Sequence, residues 1–143
     1  MGETVSAART EKAAGIGCRR DAPLADVLAA IDAALAVQQL SRGDLDALAT
    51  IAPKRHEPAI AAAAETLGVP LVIVSAAAAR DASGRCLTLS AASLAATGVA
   101  CVSEAAALAA IGPRGRLTHP RAVRGAAACA IAITPPSVRE ARS

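Results

Sequence analysis

The first half of the chain combines short apolar runs, typical of buried strands, with apolar residues at helical spacing. Residues 13–18 form a short apolar segment that ends in a charged turn, which predicts a buried first strand. The next apolar residues recur every three or four positions, which places them on one face of a helix. They are Leu24, Val27, Leu28, Ile31 and Leu35. With Pro23 in its first turn, this helix is predicted to run to about Leu40.

A second strand, a second helix and a third strand are predicted next along the chain. The segment 44–51 is predicted to contain the second strand. The helix at 57–67 has Pro58 in its first turn and Gly68 directly after its end. The segment 69–74 is rich in β-branched residues, which indicates the third strand. The order strand, helix, strand, helix, strand predicts right-handed crossovers and a largely parallel sheet.

The pattern is weaker in the middle of the chain. A short helix followed by a loop is predicted within 76–89, and a second short helix at 90–96 ends before Gly98. A clear helix at 104–111 is predicted to have Ser103 as its N-cap residue and an acid in its first turn.

The last part of the domain is predicted to be extended. Segments 117–123 and 126–133 are apolar and strand-like, and Gly125 between them predicts a hairpin or a sharp bend. The mixed charges of residues 1–12 predict a flexible N-terminal extension, and the proline pair and charges of 135–143 predict a tail.

The composition limits the ligands that such a domain can bind. The 143 residues include no Phe, Tyr or Trp, so no aromatic ring is available to stack on a base, a flavin or a sugar. Among the basic side chains only Lys12 and Lys54 are lysines, and all the others are arginines. Arginine makes planar, two-point contacts with carboxylates and phosphates. A GC-rich genome would raise alanine and arginine alike, so the local clustering of arginines carries more weight than their number.

Other features exclude several classes of site. The four cysteines stand far apart, without a CxxC pair or a Cys–His spacing typical of zinc, so no metal is predicted. They are Cys18, Cys86, Cys101 and Cys129, all expected to be reduced. The glycines at 15 and 17 lack the third glycine of a dinucleotide-binding fingerprint and no P-loop pattern occurs, so no cofactor is predicted. No apolar run is long enough for a membrane span, and the basic residues lack interleaved aromatics, so neither a membrane nor a nucleic acid is expected as a partner. Without a signal peptide, the expected location is the cytoplasm.

Two basic clusters follow the first two predicted strands. One spans residues 17–21 and the other residues 53–57, each between a strand and the start of a helix. Because ligands of open α/β sheets bind outside the carboxyl ends of the strands, both clusters are expected at one anion-binding edge. The candidate ligand-binding residues there are Gly17, Cys18, Arg19, Arg20, Lys54 and Arg55.

A third basic cluster lies further along the chain. It contains Arg114, Arg116, His119, Arg121 and Arg124, and no acid occurs between Glu104 and Glu140. It is either a solvated loop or an anion-binding rim, and on the second interpretation Arg116, His119 and Arg121 are candidate ligand-binding residues.

Few side chains have acid–base potential. His56 and Glu57 are adjacent in the loop before the second helix and are the candidate catalytic pair, although a surface histidine beside a helix-capping glutamate is the commoner arrangement. Ser103 and Glu104, at the start of the last predicted helix, are further candidates for ligand binding, although Glu104 is also suited to a first-turn helix residue.

Four blocks of the sequence, in order, resemble the family formed by CobE and the C-terminal domain of CbiG. The blocks are 15–20 (GIGCRR), 48–58 (LATI, then Lys54 and Glu57-Pro58), 68–71 (GVPL) and 102–108 (VSEAAAL). The resemblance covers about residues 13–133, and it gives the domain the boundaries 13–134. The chain departs from the family at Asp21, where a glycine is common, and in 117–124, which is richer in arginine.

The resemblance implies a single three-layer αβα domain with a mixed, largely parallel sheet, and a place in the assembly of the corrin ring of cobalamin. Whole CbiG is similar to a hydrolase that opens a lactone on a cobalt-precorrin and releases acetaldehyde, and this chain corresponds to its C-terminal part alone. Corrin precursors carry acetate and propionate arms around an apolar ring, which suits a rim of cationic side chains.

Three hypotheses follow. The first is a protein that binds a precorrin or corrinoid intermediate through arginine–carboxylate contacts. The second is a lactone hydrolase in which His56 or Glu57 activates water. The third is a module that docks onto another enzyme of the cobalamin pathway.

Overall fold

The first half of the domain is a parallel β-α-β-α-β unit. In the computed structural model, which describes residues 11–54 and 56–135, its elements are β1 (Lys12–Cys18), α1 (Leu24–Val37), β2 (Ala47–Ile51), α2 (Pro58–Leu67) and β3 (Leu71–Val74). Strand β1 pairs in parallel with β2, and β2 pairs in parallel with β3. The predicted order of strands and helices is therefore confirmed.

The second half adds helices and then completes the sheet. Its elements are α3 (Ala76–Ser83), α4 (Ala91–Thr97), α5 (Val102–Ile111), β4 (Arg116–Leu117), β5 (Ala122–Arg124) and β6 (Ala127–Ile133). Strand β6 runs antiparallel to β1 along its whole length, and β4 and β5 pair antiparallel with its other edge. The described part of the sheet thus has five strands in one direction and β6 in the other, which confirms a mixed, largely parallel sheet.

Helices cover both faces of the sheet, which makes three layers. Helices α1 and α2 pack on one face with Ala14 and Ile16 of β1, while α3 and α5 pack on the other. The apolar stripe predicted for α1 is confirmed, because Val27, Ile31 and Leu35 are buried in the first of these cores. Both cores are aliphatic, with alanine at many of the buried positions.

Strand β1 and helix α5 approach each other closely at a glycine. A β-carbon at Gly15 would lie 2.6 Å from the backbone nitrogen of Ala107 and would also overlap the backbone oxygen of Ser103. Gly17, the next residue on that face, lies against Val102. The two glycines of the GIGCRR block therefore let the helix lie directly on the strand, with its first turn at the carboxyl end of β1.

Helix α5 begins earlier than its sequence pattern predicts. Cys101 occupies the N-cap position and the helix starts at Val102, so the prediction of Ser103 as the N-cap was wrong. Ser103 is instead inside the first turn and is 1% exposed, with its hydroxyl 3.5 Å from the Cys101 sulfur. The pattern misses this start because the N-cap residue Cys101 makes no side-chain capping hydrogen bond, whereas Ser103 is a typical capping residue.

The predicted hairpin at Gly125 is confirmed, but the predicted strand 117–123 is interrupted. Residues 118–121 leave the sheet between β4 and β5. Gly125 has a φ of 55°, and the neighbouring Ala126 donates its backbone N–H to the Asp26 carboxylate at 2.9 Å. Helix α1 therefore holds the β5–β6 turn in place.

Asp21 adopts a left-handed backbone conformation, with a φ of 60°, at the position where the family often has glycine. We expect Asp21→Gly to leave the free energy of unfolding within about 1 kcal/mol of the wild type, because glycine adopts this conformation without strain. Asp21→Val should lower it by about 1–3 kcal/mol, since β-branched residues are strained there. Urea unfolding of both variants measures the difference, and equal stabilities would contradict the assigned conformation.

The predicted extension and tail lie mostly outside the described residues. Lys12, the last residue of the predicted extension, already belongs to β1 and pairs with Ile133 of β6. In the described ranges no single helix is both long and apolar enough to cross a membrane, and α4 and α5 reach that length and composition only when counted together as a bent pair.

Candidate functional site

The loops after β1 and β2 meet at the carboxyl edge of the sheet. The backbone N–H of Asp21, in the first loop, donates a 2.9 Å hydrogen bond to Oε1 of Glu57, at the end of the second. Both loops begin where parallel neighbouring strands end, so they lie side by side. The prediction that the clusters 17–21 and 53–57 share one edge is confirmed.

An open pocket of about 520 Å³ lies at this edge. Six of the residues singled out from the sequence line it, namely Gly17, Cys18, Arg19, Lys54, Ser103 and Arg121. Helix α4 forms one wall, and the β5–β6 hairpin forms another with Val123 and Ala126. No Asp or Glu is present among the described residues of the lining, so three cations face a recess with small, mostly apolar walls.

Cys18 lies at the carboxyl end of β1 inside this pocket. Partial burial and the negative charge of Glu57 raise the pKa of its thiol, while the positive charge of Lys54 acts in the opposite direction. The thiol is therefore a weak nucleophile at neutral pH, because it is the thiolate that reacts. Its pKa responds to both members of the second cluster, which puts the three side chains in one electrostatic neighbourhood.

The rate of Cys18 alkylation should depend on the charges of Lys54 and Glu57. Removing the positive charge with Lys54→Ala should raise the thiol pKa further and slow alkylation by iodoacetamide at pH 8, whereas Glu57→Gln should lower the pKa and speed it. Mass spectrometry of the Cys18 peptide measures both rates. Rate changes of the same sign in the two variants would contradict the geometry, and alkylation of the buried Cys129 provides the control in each sample.

Glu104 lies beneath the pocket. It is 0% exposed, and its carboxylate accepts hydrogen bonds from Thr88 and from the backbone N–H groups of Leu87 and Arg121. The prediction that it is an acidic first-turn residue is confirmed. Both of its oxygens accept hydrogen bonds from protein donors. This arrangement does not match the ligand-binding role that its position in the sequence suggested.

The structure brings only part of the third basic cluster together, which corrects the grouping expected from the sequence. Arg116 pairs with Ile133 at the amino edge of the sheet, the end opposite to the pocket. His119 lines one recess with Thr118 beside the end of α1, and a second recess of about 250 Å³ together with Arg121 and Arg124. Arg121 alone among the three candidates lines the pocket. The physical reason is that residues 116–124 follow the full length of β6, so neighbours in sequence are spread from one edge of the sheet to the other.

The other sequence-based candidates lie beside the pocket or outside the described residues. Arg20, His56 and Glu57 follow pocket residues in the chain without lining the pocket in the described structure. Arg20 and His56 are exposed, and Glu57 is engaged by Asp21. Arg55 is outside the described residues.

Helix α4 contributes pocket residues that were not identified from the sequence. None of its seven residues is buried, and its lining side chains include Ser93 and Thr97, with Ser90 from the preceding turn. The Ser90 hydroxyl accepts a hydrogen bond from the Ser93 N–H and caps the helix. Hydroxyl residues at 90, 93 and 97 recur with helical spacing, a signal that could have identified this polar face.

The described residues hold no cluster of three or more His, Cys, Asp or Glu side chains suited to a metal ion. The chemistry of the pocket is therefore that of its cations, its hydroxyl groups and its small apolar side chains. Such a lining suits a ligand that combines an anionic edge with an apolar face.

Comparison with known proteins gives one consistent family. The family model described as "Cobalamin synthesis G C-terminus" matches residues 13–132. Protein CobE of Sinorhizobium sp is 35% identical over 118 residues, which are 82% of this chain and 77% of that protein.

Three solved structures of cobalamin biosynthesis proteins have the same fold as this chain. The crystal structure of CobE, a protein from the cobalamin (vitamin B12) biosynthetic pathway, superposes with a TM-score of 0.83 at 34% identity, covering 90% of this chain and 93% of that one. The cobalamin biosynthesis protein chiG from Agrobacterium tumefaciens is 40% identical with a TM-score of 0.69, covering 87% and 99%. A cobalamin biosynthesis protein G homologue from Sulfolobus solfataricus, at 20% identity and a TM-score of 0.68, shares the fold; the match covers 88% of this chain and 37% of that longer one. The chain therefore belongs to the cobalamin synthesis G C-terminal family, the family that includes CobE.

Proposed function

We propose that this protein binds a precorrin or corrinoid intermediate of cobalamin biosynthesis in the pocket at the carboxyl edge of its sheet. One observation carries the proposal: Arg19, Lys54 and Arg121 converge on one open pocket whose described lining has no acidic residue. Three cations in a described lining that has no acidic residue favour a ligand with several anionic groups.

The walls of the pocket favour a ligand that is also apolar. Small side chains such as Ala96, Val123 and Ala126 line it. Near this wall in the chain, Leu89 and Leu94 are 75% and 46% exposed. A corrin precursor combines an apolar macrocycle with carboxylate arms, so its edge would enter between the cations while its face lies on aliphatic side chains.

Membership of the family supports the cobalamin pathway, and the pocket supports the class of ligand within it. We therefore propose contacts in which Arg19 and Lys54 hold carboxylates from the β1 and β2 loops, and Arg121 holds one from the side of α5. Gly17 and Ser103 also line the pocket. The cytoplasm remains the predicted location.

Gel filtration of the protein with a corrinoid tests the proposal. We expect a hydrogenobyrinic acid-type corrinoid, which has free carboxylate arms, to co-elute with the protein and to be recovered with unchanged mass. A corrinoid whose arms are amidated is the matched ligand control and should elute separately. Binding of the acid form should also weaken as salt is added, because the charges are exposed to solvent. Equal retention of the two corrinoids, or retention of neither, would contradict the proposal.

The same experiment tests the two other hypotheses. Loss of a two-carbon fragment from a lactone-bearing cobalt-precorrin would support hydrolysis with His56 or Glu57 as the base. Capture of a purified pathway enzyme without retention of ligand would support docking. Hydrolysis is not expected, since His56 and Glu57 lie outside the described pocket lining.

A further inference from the structure

The buried carboxylate of Glu104 links two segments that are far apart in the chain. Its Oε1 accepts the N–H groups of Leu87 at 2.7 Å and Thr88 at 2.8 Å. Its Oε2 accepts the Thr88 hydroxyl at 2.7 Å and the N–H of Arg121 at 2.9 Å. The group is 0% exposed, so these four bonds take the place of the water that a carboxylate would otherwise bind.

These two segments lead to two different parts of the pocket lining. Leu87 and Thr88 precede Ser90, which lines the pocket and caps α4. Arg121 also lines the pocket, from the break between β4 and β5. Both segments lie outside regular helices and strands, so neither helix nor sheet hydrogen bonding holds them. Glu104 supplies the bonds that hold both.

We infer that Glu104 is a positioning residue of the proposed binding site, which sets the distance between Arg121 and the α4 wall without contacting the ligand. This inference rests on the proposed function. The anchoring of the Arg121 backbone also directs its side chain, whose Nη1 lies 4.0 Å from the sulfur of Cys101 at the start of α5. A carboxylate arm of the ligand would then meet a guanidinium that is already held in place, which lowers the cost of ordering it on binding.

The variant Glu104→Gln tests this link with little change in volume. A carboxamide has only one oxygen, so it cannot accept hydrogen bonds on both sides. If that oxygen accepts from Leu87 and Thr88, the amide NH₂ faces the N–H of Arg121, and two donors oppose each other. We expect hydrogen exchange at the Arg121 amide to become about tenfold faster or more, and corrinoid affinity to fall about tenfold.

The dependence of affinity on salt separates positioning from general loss of structure. If Arg121 is displaced, one cation fewer contacts the ligand, and the affinity of Glu104→Gln should vary less steeply with salt than that of the wild type. Glu65→Gln, an exposed acid on α2, is the control and should leave exchange and affinity unchanged. Affinity is compared at a temperature where circular dichroism finds each variant folded.

A milder variant covers the case in which Glu104→Gln does not fold. Thr88→Val removes one of the four bonds, so exchange at Leu87 and Thr88 should rise and affinity should fall about threefold. Wild-type affinity in whichever of the two variants folds, or unchanged exchange at the amides it affects, would contradict the inference alone. Failure of the wild-type protein to bind the corrinoid would instead contradict the proposed function, and with it this role for Glu104.

Discussion

The variant Gly15→Ala is expected to lose at least about 3 kcal/mol of folding stability, which corresponds to a fall in Tm of about 10 °C. The added β-carbon would lie 2.6 Å from the backbone nitrogen of Ala107 and would overlap the backbone oxygen of Ser103. Because both atoms belong to the main chain of α5, no rotamer change relieves the clash, and the helix has to move away from β1. Urea unfolding monitored by circular dichroism measures the loss.

Gly84→Ala is the matched control. Gly84 ends α3 with a φ of −66°, and no atom lies within 4 Å of the β-carbon that alanine would add. Alanine restricts the unfolded chain without straining the folded one, so this variant should be as stable as the wild type or more stable by up to about 1 kcal/mol. If Gly15→Ala unfolded at the same urea concentration as Gly84→Ala, the close contact between α5 and β1 would be wrong.

Simultaneous replacement of Arg19 and Lys54 with alanine is expected to weaken binding of the carboxylate corrinoid by about a hundredfold. Each side chain would contribute a charge-assisted contact, so each single variant should lose about tenfold, and the losses should add if the two cations hold different carboxylates. Isothermal titration calorimetry measures the affinities. The double variant should fold normally, because Arg19 is exposed and Lys54 lies in a short turn outside both cores.

The control for this loss of charge is the pair Arg42→Ala and Arg114→Ala. It removes the same number of positive charges from the opposite edge of the sheet, since Arg42 precedes β2 and Arg114 precedes β4. Any uniform effect of net charge would weaken both double variants equally. Similar affinities for the two double variants would therefore exclude the carboxyl edge as the binding site.

The location of the site was predictable because one rule of topology is enough to derive it. Parallel neighbouring strands end at the same edge, so the residues after β1 and after β2 had to lie together once the strand–helix–strand order was recognised. Cys18 and Lys54 meet there for this reason. The direction of the strands alone predicts that Cys18 and Lys54 lie close together, without any knowledge of side-chain packing.

The rest of the site depends on contacts that cross the fold, and these leave little trace in local sequence. Arg116 and Arg121 are close in sequence, but the strands of 116–124 carry them to different parts of the sheet. Glu104 has the sequence position of an ordinary first-turn acid, and only the return of residues 87–88 and 121 to the same helix turn makes it a buried acceptor. The hydrogen bonds to Glu104 come from residues that are 16 or 17 positions away in the chain.

The glycine pattern of the first block has a structural cause. Successive residues of a strand point to opposite faces, so Gly15 and Gly17 share the face against α5 while Ala14 and Ile16 share the face toward α1. The left-handed backbone at Asp21 is likewise a conformation that glycine adopts without strain. These positions are conformational requirements of a site whose helix lies directly on its strand.

The position of β6 between β1 and the pair β4 and β5 has a consequence for synthesis on the ribosome. Lys12 of β1 pairs with Ile133 of β6. More than a hundred residues must therefore be translated before the second edge of β1 can form its hydrogen bonds. Until then the nascent chain carries an open edge of alanine, isoleucine and glycine, the kind of edge that recruits other strands. Folding of this domain therefore finishes only after β6 has left the exit tunnel, and until then the unpaired edge of β1 is exposed to wrong strand pairing.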